Sequence, residues 1–161
     1  SMADPLIVAL EMKRGKEYNR TKFMAKIELS RIPVISRLIR SVMIYIDRGN
    51  ADMGAIKETI KHLKDGGKII IFPEGTRVGA DENVQAKTGV AMMALRGGAP
   101  IVPVYITPCS KPLLSRRKID VVFGEPFMAE KEKGLSTAEA YRKITDDLME
   151  RIHMLGEVPA K

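Results

Sequence analysis

The residues best suited to chemistry lie together in one short stretch, Lys68-Ile69-Ile70-Ile71-Phe72-Pro73-Glu74-Gly75-Thr76-Arg77. Ile69, Ile70, Ile71 and Phe72 form an unbroken apolar run, the pattern of a fully buried strand. Pro73 ends that run, because a residue without an N–H cannot extend a sheet ladder. Glu74, Gly75, Thr76 and Arg77 then fall in a loop at the strand's carboxyl end, where open α/β sheets gather their ligands. Gly75 lets the backbone approach a ligand closely, and Arg77 presents a planar fork that matches phosphate oxygens. A second arginine, Arg48, comes just after another apolar run at residues 42–46. If the two strands are neighbours, Arg48 and Arg77 converge from adjacent strand ends. Two guanidinium groups there make a site for a dianionic phosphate monoester. The same loop residues also fit a plain turn with a solvated Glu and Arg.

Such a site needs a frame, and the patterning supplies one. Asp4-Pro5 is a helix start, a carboxylate cap with proline at the first helical position, and the helix continues to about residue 12. Residues 13–18 read as a charged loop, and residues 21–25 as a strand that Lys26 follows directly. Residues 29–41 read as a helix broken at Pro33, with Ile32, Ile35, Leu38 and Ile39 at helical spacing. Arg31, Arg37 and Arg40 fill its other side. That segment fits either a core helix with a solvated basic face or one lying on an anionic membrane surface.

After the strand at 42–46, Asn50 is positioned to cap a helix over 51–64, with Met53, Ile56, Ile60 and Leu63 inward and His62 on the exposed face. A further helix is expected over 86–96, with Met92, Met93 and Leu95 in the core, and then strands at 100–106 and 119–123. Ser136-Thr137-Ala138-Glu139 is a capping-box pattern that opens a helix to about residue 155. Strands and helices alternate with short connections. The expectation is one α/β domain whose largely parallel central sheet is flanked by helices.

The chain has 161 residues, enough to bury a sizeable core, and a net charge of +7. The charge suits a polyanionic partner. Only 5% of residues are aromatic and none is Trp, so a stacking platform for nucleic acid is missing. An anionic membrane surface, a lipid phosphate, coenzyme A or an acidic carrier protein fits instead. The basic segment 107–118, with Arg116, Arg117 and Lys118, is either a solvated loop or a contact for such a partner. The single cysteine, Cys109, cannot form an internal disulfide, which suits a reducing compartment. No apolar run approaches the ~20 residues that span a bilayer.

Phe72-Pro73-Glu74-Gly75-Thr76-Arg77 resembles the third motif block of the glycerolipid acyltransferases, in particular the 1-acyl-glycerol-3-phosphate (lysophosphatidate) acyltransferases. Tyr45-Ile46-Asp47-Arg48 resembles the second block, and the segment 99–106, with its internal Val102-Pro103, the fourth. Ser1 and Asp4-Pro5 resemble the back half of the first block, a His–Asp pair with a serine between. The blocks run in family order from residue 1 to about residue 127.

The resemblance implies acyl transfer from acyl-coenzyme A or acyl carrier protein to the 2-hydroxyl of 1-acyl-glycerol-3-phosphate, with no cofactor and no metal. It implies phosphate contacts from Arg77, Arg48, Lys26 and Lys87, with Glu74, Gly75 and Thr76 shaping the site, and Asp4 as the residue that orients the catalytic histidine. It further implies a peripheral enzyme on the cytoplasmic face of the membrane. The first-block histidine would fall two places before Ser1, while His62 and His153 lie in helical stretches elsewhere. The chain as given is therefore expected to be an acyltransferase domain, residues 1–161, shortened at its amino end and inactive without that base. Two alternatives remain open at this point. One is a related acyltransferase that takes glycerol-3-phosphate or another lysophospholipid. The other is a non-catalytic module that binds anionic lipid.

Overall fold

Thr21–Lys26 (β1) takes the middle place in a three-stranded parallel sheet, between Met43–Ile46 (β2) and Lys68–Ile70 (β3). This is a computed structural model, and it describes residues 7–8, 11–12, 20–26, 43–46, 52–75, 85–107 and 119–157. Phe23 and Ile44, one from each of two neighbouring strands, are almost fully buried. Apolar residues on paired strands pack best when helices cover the sheet, and the crossovers of a parallel sheet supply them.

The crossover from β2 to β3 is the helix Met53–Lys64 (α1). Its cap is Asp52, whose carboxylate accepts the Ala55 N–H at 3.0 Å; Asn50, expected in that role, lies outside the described residues. The Asp52 side chain reaches the third residue on, the usual N-cap geometry. The inward face also differs from expectation. Ala55 and Thr59 are buried, Ile56, Ile60 and Leu63 are half-buried, and Met53 is 49% exposed. Small side chains let the helix approach closely, and Thr59 satisfies its hydroxyl by donating to the Ala55 carbonyl at 2.8 Å.

His62, expected on the exposed face, is half-buried. Its Nε2 lies 2.9 Å from the Arg20 carbonyl, which also accepts the Lys68 N–H at 2.9 Å. A carbonyl oxygen only accepts, so Nε2 carries the proton. The ring fills the space where a Cβ on Gly67 would sit, which is why that position is glycine. The turn between α1 and β3 is thereby locked to the start of β1.

Gly89–Gly97 (α2) begins three residues later than the pattern suggests. Residues 85–88 are irregular, and the Lys87 N–H donates to the Pro73 carbonyl at 2.9 Å. The strand expected over 100–106 is two strands, Pro100–Ile101 (β4) and Val104–Ile106 (β5). Pro103 is fully buried between them and has no N–H for a ladder. β4 pairs antiparallel with Phe127–Met128 (β7), and β5 pairs antiparallel with Val121–Phe123 (β6). The fold is α/β, with the parallel sheet as its centre and two antiparallel pairs that the alternation of elements did not reveal.

The last element is Thr137–Glu157 (α3). Its capping box forms as the sequence predicts: the Ser136 N–H donates to Glu139 Oε2 at 2.8 Å, and the Glu139 N–H donates to Ser136 Oγ at 3.3 Å. These hydrogen bonds hold the exposed Glu139 carboxyl below its ordinary value of 4.5. Ile144 and Leu148 of α3 pack with Ala91 and Ala94 of α2, Ile101 of β4 and Ala129 into one core. Truncating Leu148 there would cost roughly 2–5 kcal/mol.

Ile7, Val8, Glu11 and Met12 are helical, as the amino-terminal pattern predicts, and Val8 is buried. The cap at Asp4, the charged loop at 13–18, the basic helix expected over 29–41 and the segment 108–118 with Cys109 lie outside the described residues. Among the described residues, no helix is long and apolar enough to cross a membrane.

Candidate active site

Three parallel strands deliver their carboxyl ends to one edge of the sheet. Lys26 ends β1, and its register partner Ile46 ends β2, so these two ends are level. β3 leaves the ladder earlier, its last pair being Phe23 with Ile70. The expected strand through Phe72 is therefore cut short, and Pro73 is not what stops it. Ile71 and Phe72 run on unpaired, half-buried, toward α2, where the Pro73 carbonyl takes the Lys87 N–H.

Phe72, Pro73, Glu74 and Gly75 then form a tight turn closed by the Gly75 N–H on the Phe72 carbonyl at 3.1 Å. Gly75 has φ +68°, in the left-handed region. The glycine is thus required by the turn itself, whatever approaches its backbone. Glu74 sits in the turn and is half-buried.

The turn closes one side of a cleft. Met24, Ile46, Ile71 and Phe72 from the strand ends make its floor, and Ile56 of α1 makes one wall. Val90, Met92 and Met93 of α2 make the opposite wall, while Gly75 and Lys87 stand among the lining residues on the polar side. The arrangement is a largely apolar slot with the exposed Lys87 among its lining residues. It can take a molecule with an apolar tail and an anionic head.

The predicted site residues divide accordingly. Gly75 and Lys87 come together in the lining of the cleft, Glu74 precedes Gly75 in the turn without lining it, and Lys26 ends its strand at the same edge. Lys87 is exposed and precedes α2, rather than lying inside its first turn. Asp4, Arg48, Thr76 and Arg77 lie outside the described residues. The sequence placed a ligand crevice at this edge but did not show its apolar lining. Met92 and Met93 were expected as core; Met93 is indeed almost fully buried, yet both line the slot. The available signal was Met24, an apolar residue two places before a strand-terminal lysine.

One contact from outside the motif blocks also reaches this edge. Arg142 of α3 donates from Nη1 to the Ala86 carbonyl at 2.7 Å, next to Lys87. Among the described residues, no group of three or more His, Cys, Asp or Glu is placed to hold a metal ion.

Comparison with known proteins bears on this geometry directly. The chain is 35% identical to the 1-acyl-sn-glycerol-3-phosphate acyltransferase of Bacillus subtilis over 136 residues, covering 83% of this chain and 67% of that protein. It is 31% identical to the probable 1-acyl-sn-glycerol-3-phosphate acyltransferase of Mycoplasma genitalium over 109 residues, covering 66% of this chain and 40% of that one. The crystal structure of the 1-acyl-sn-glycerophosphate (LPA) acyltransferase PlsC from Thermotoga maritima superimposes with a TM-score of 0.63 at 29% identity, covering 88% of this chain and 59% of that one. The chain thus spans from 40% to 67% of the lengths of these relatives. A family model described as Acyltransferase matches residues 1–107, well over half of the 161, and the chain belongs to that acyltransferase family.

Proposed function

We propose that this chain carries the acyl-transfer domain of a 1-acyl-glycerol-3-phosphate acyltransferase, which makes phosphatidic acid in phospholipid synthesis. The observation that carries the reading is the cleft at the sheet's carboxyl edge, largely apolar and with Lys87 among its lining residues. Lysophosphatidate has that shape of chemistry, a phosphate monoester head and an acyl tail. The relatives from B. subtilis and T. maritima are named for that acceptor, which supports it further.

In the proposed reaction the acceptor's 2-hydroxyl oxygen attacks the thioester carbonyl carbon of acyl-coenzyme A or acyl-carrier protein. The new ester C–O bond forms, the C–S bond breaks, and the thiolate leaves. The hydroxyl proton passes to the first-block histidine, which Asp4 orients, and then to the departing sulfur. The substrate is the nucleophile, so no acyl-enzyme intermediate and no cofactor is needed. Arg77, Arg48, Lys26 and Lys87 hold the phosphate, and the Glu74-Gly75-Thr76 turn sets Arg77's position. The positive net charge suits a peripheral enzyme at an anionic membrane on the cytoplasmic face.

The test compares acceptors in a form that includes the first-block histidine. Lysophosphatidate should be acylated, while the monoacylglycerol that lacks only the phosphate should react at a small fraction of its kcat/KM. Equal use of the two would remove phosphate recognition from the account.

A further inference from the structure

The geometry points to Arg142, on the carboxyl-terminal helix α3, as a positioning residue for the acceptor site, acting through Lys87. The inference rests on the proposed function, because it takes Lys87 as a phosphate contact. Arg142 lies beyond the residues 1–107 that carry the family match.

The segment that presents Lys87 is irregular, since α2 begins only at Gly89. Besides the packing of the buried Ala86, two backbone contacts among the described residues hold this irregular segment. The Lys87 N–H donates to the Pro73 carbonyl at 2.9 Å, tying the segment to the turn at the strand end. The preceding carbonyl, of the buried Ala86, accepts from Arg142 Nη1 at 2.7 Å, tying it to α3. Arg142 is itself fixed by Asp146 one turn on, with Nη2 to Oδ1 at 2.6 Å. Its Nε is buried without an acceptor among the described residues. An arginine suits the task because two of its fork nitrogens reach two different acceptors from a rigid plane. Without the strut the Ala86–Lys87 peptide loses one of its two backbone contacts among the described residues, and Lys87 is held less firmly at the cleft.

The test is a double-substitution cycle on acceptor KM and kcat, with lysophosphatidate, using Arg142→Gln and Lys87→Ala in the form that turns over. Arg142→Gln should raise acceptor KM about threefold to tenfold, the effect of one lost hydrogen bond, with kcat held. The double variant should be no weaker than Lys87→Ala alone, because Arg142 acts through that residue. Arg142→Lys, which keeps the charge beside Asp146 and can reach one acceptor, should recover part of the loss. It also serves as the arm of the cycle if Arg142→Gln does not fold. Effects that multiply in the double variant, or a KM unmoved by either Arg142 substitution, would overturn the inference. A KM unmoved by Lys87→Ala, with Arg142→Gln still harmful, would overturn it too. Failure of the underlying reading looks different: monoacylglycerol would then be used as well as lysophosphatidate in the unsubstituted enzyme.

Discussion

Gly75→Ala is the sharpest perturbation of the site turn. The backbone at Gly75 has φ +68° and its N–H closes the turn on Phe72 at 3.1 Å. A Cβ in the left-handed region meets the following carbonyl, at roughly 1–2 kcal/mol. The strain has two ways out. If the turn keeps its shape, the whole cost falls on global stability. A chain of this size then loses about 2–4 °C of Tm per kcal/mol, so a drop of about 2–8 °C is expected. If the turn instead flips, Tm is spared and the next residues, Thr76 and Arg77, are redirected. Losing a charge-assisted phosphate contact costs about 1.5–3 kcal/mol, which is roughly a 10- to 150-fold rise in acceptor KM. Thermal melts and lysophosphatidate kinetics on one preparation read both outcomes. Gly75→Asn is the control, because asparagine enters the left-handed region at less strain, and it should fall between alanine and glycine. An alanine variant unchanged in both Tm and KM, or an asparagine variant worse than alanine, would refute the reasoning.

Three further predictions concern the frame. Asp52→Ala removes the α1 cap and should lower unfolding free energy by about 0.5–2 kcal/mol in a denaturant titration, with acceptor KM unchanged. Gly67→Ala must displace the His62 ring and break its hydrogen bond to the Arg20 carbonyl, so a loss of about 0.5–1.5 kcal/mol is expected. Combining it with His62→Ala should cost little more than either alone, because one contact is lost only once. Glu139 is held below its ordinary value by hydrogen bonds from Ser136, so its carboxylate stabilises the fold above pH 4.5 and that share disappears as pH falls through the lowered folded value. The Tm gap between the native chain and Glu139→Gln should therefore narrow from pH 7 to pH 3, and a gap independent of pH would contradict the assignment.

Much of this was legible in the sequence for physical reasons. The Ser136–Glu139 box could be read directly because capping is local, set by two side chains three residues apart. The strand at β1 and its place beside a lysine were legible from an apolar run with a charged stop. Long-range choices were not. Residues 100–106 carry one continuous apolar pattern, and only the burial of Pro103 between two different partner strands splits it. α2 starts at Gly89, not Ala86, and the Lys87 N–H finds its acceptor 14 positions back, at Pro73, a pairing no periodicity reports. His62 and Gly67 look like a surface residue and a helix-ending glycine until the turn brings them together. Within the site, residue types identified Glu74, Gly75 and Lys87, but the apolar slot and the Arg142 strut come from elements far apart in the chain.

The most direct test of the central claim is acyl transfer itself. Two forms would be assayed, the 161-residue chain and one extended upstream to include the first-block histidine. Both would be offered labelled lysophosphatidate with acyl-coenzyme A or acyl-carrier protein as donor, in the presence of anionic vesicles. The account predicts phosphatidic acid from the form that carries the first-block histidine, with at least one donor. Vesicle binding by both forms with phosphatidic acid from neither would contradict it and leave a lipid-binding module.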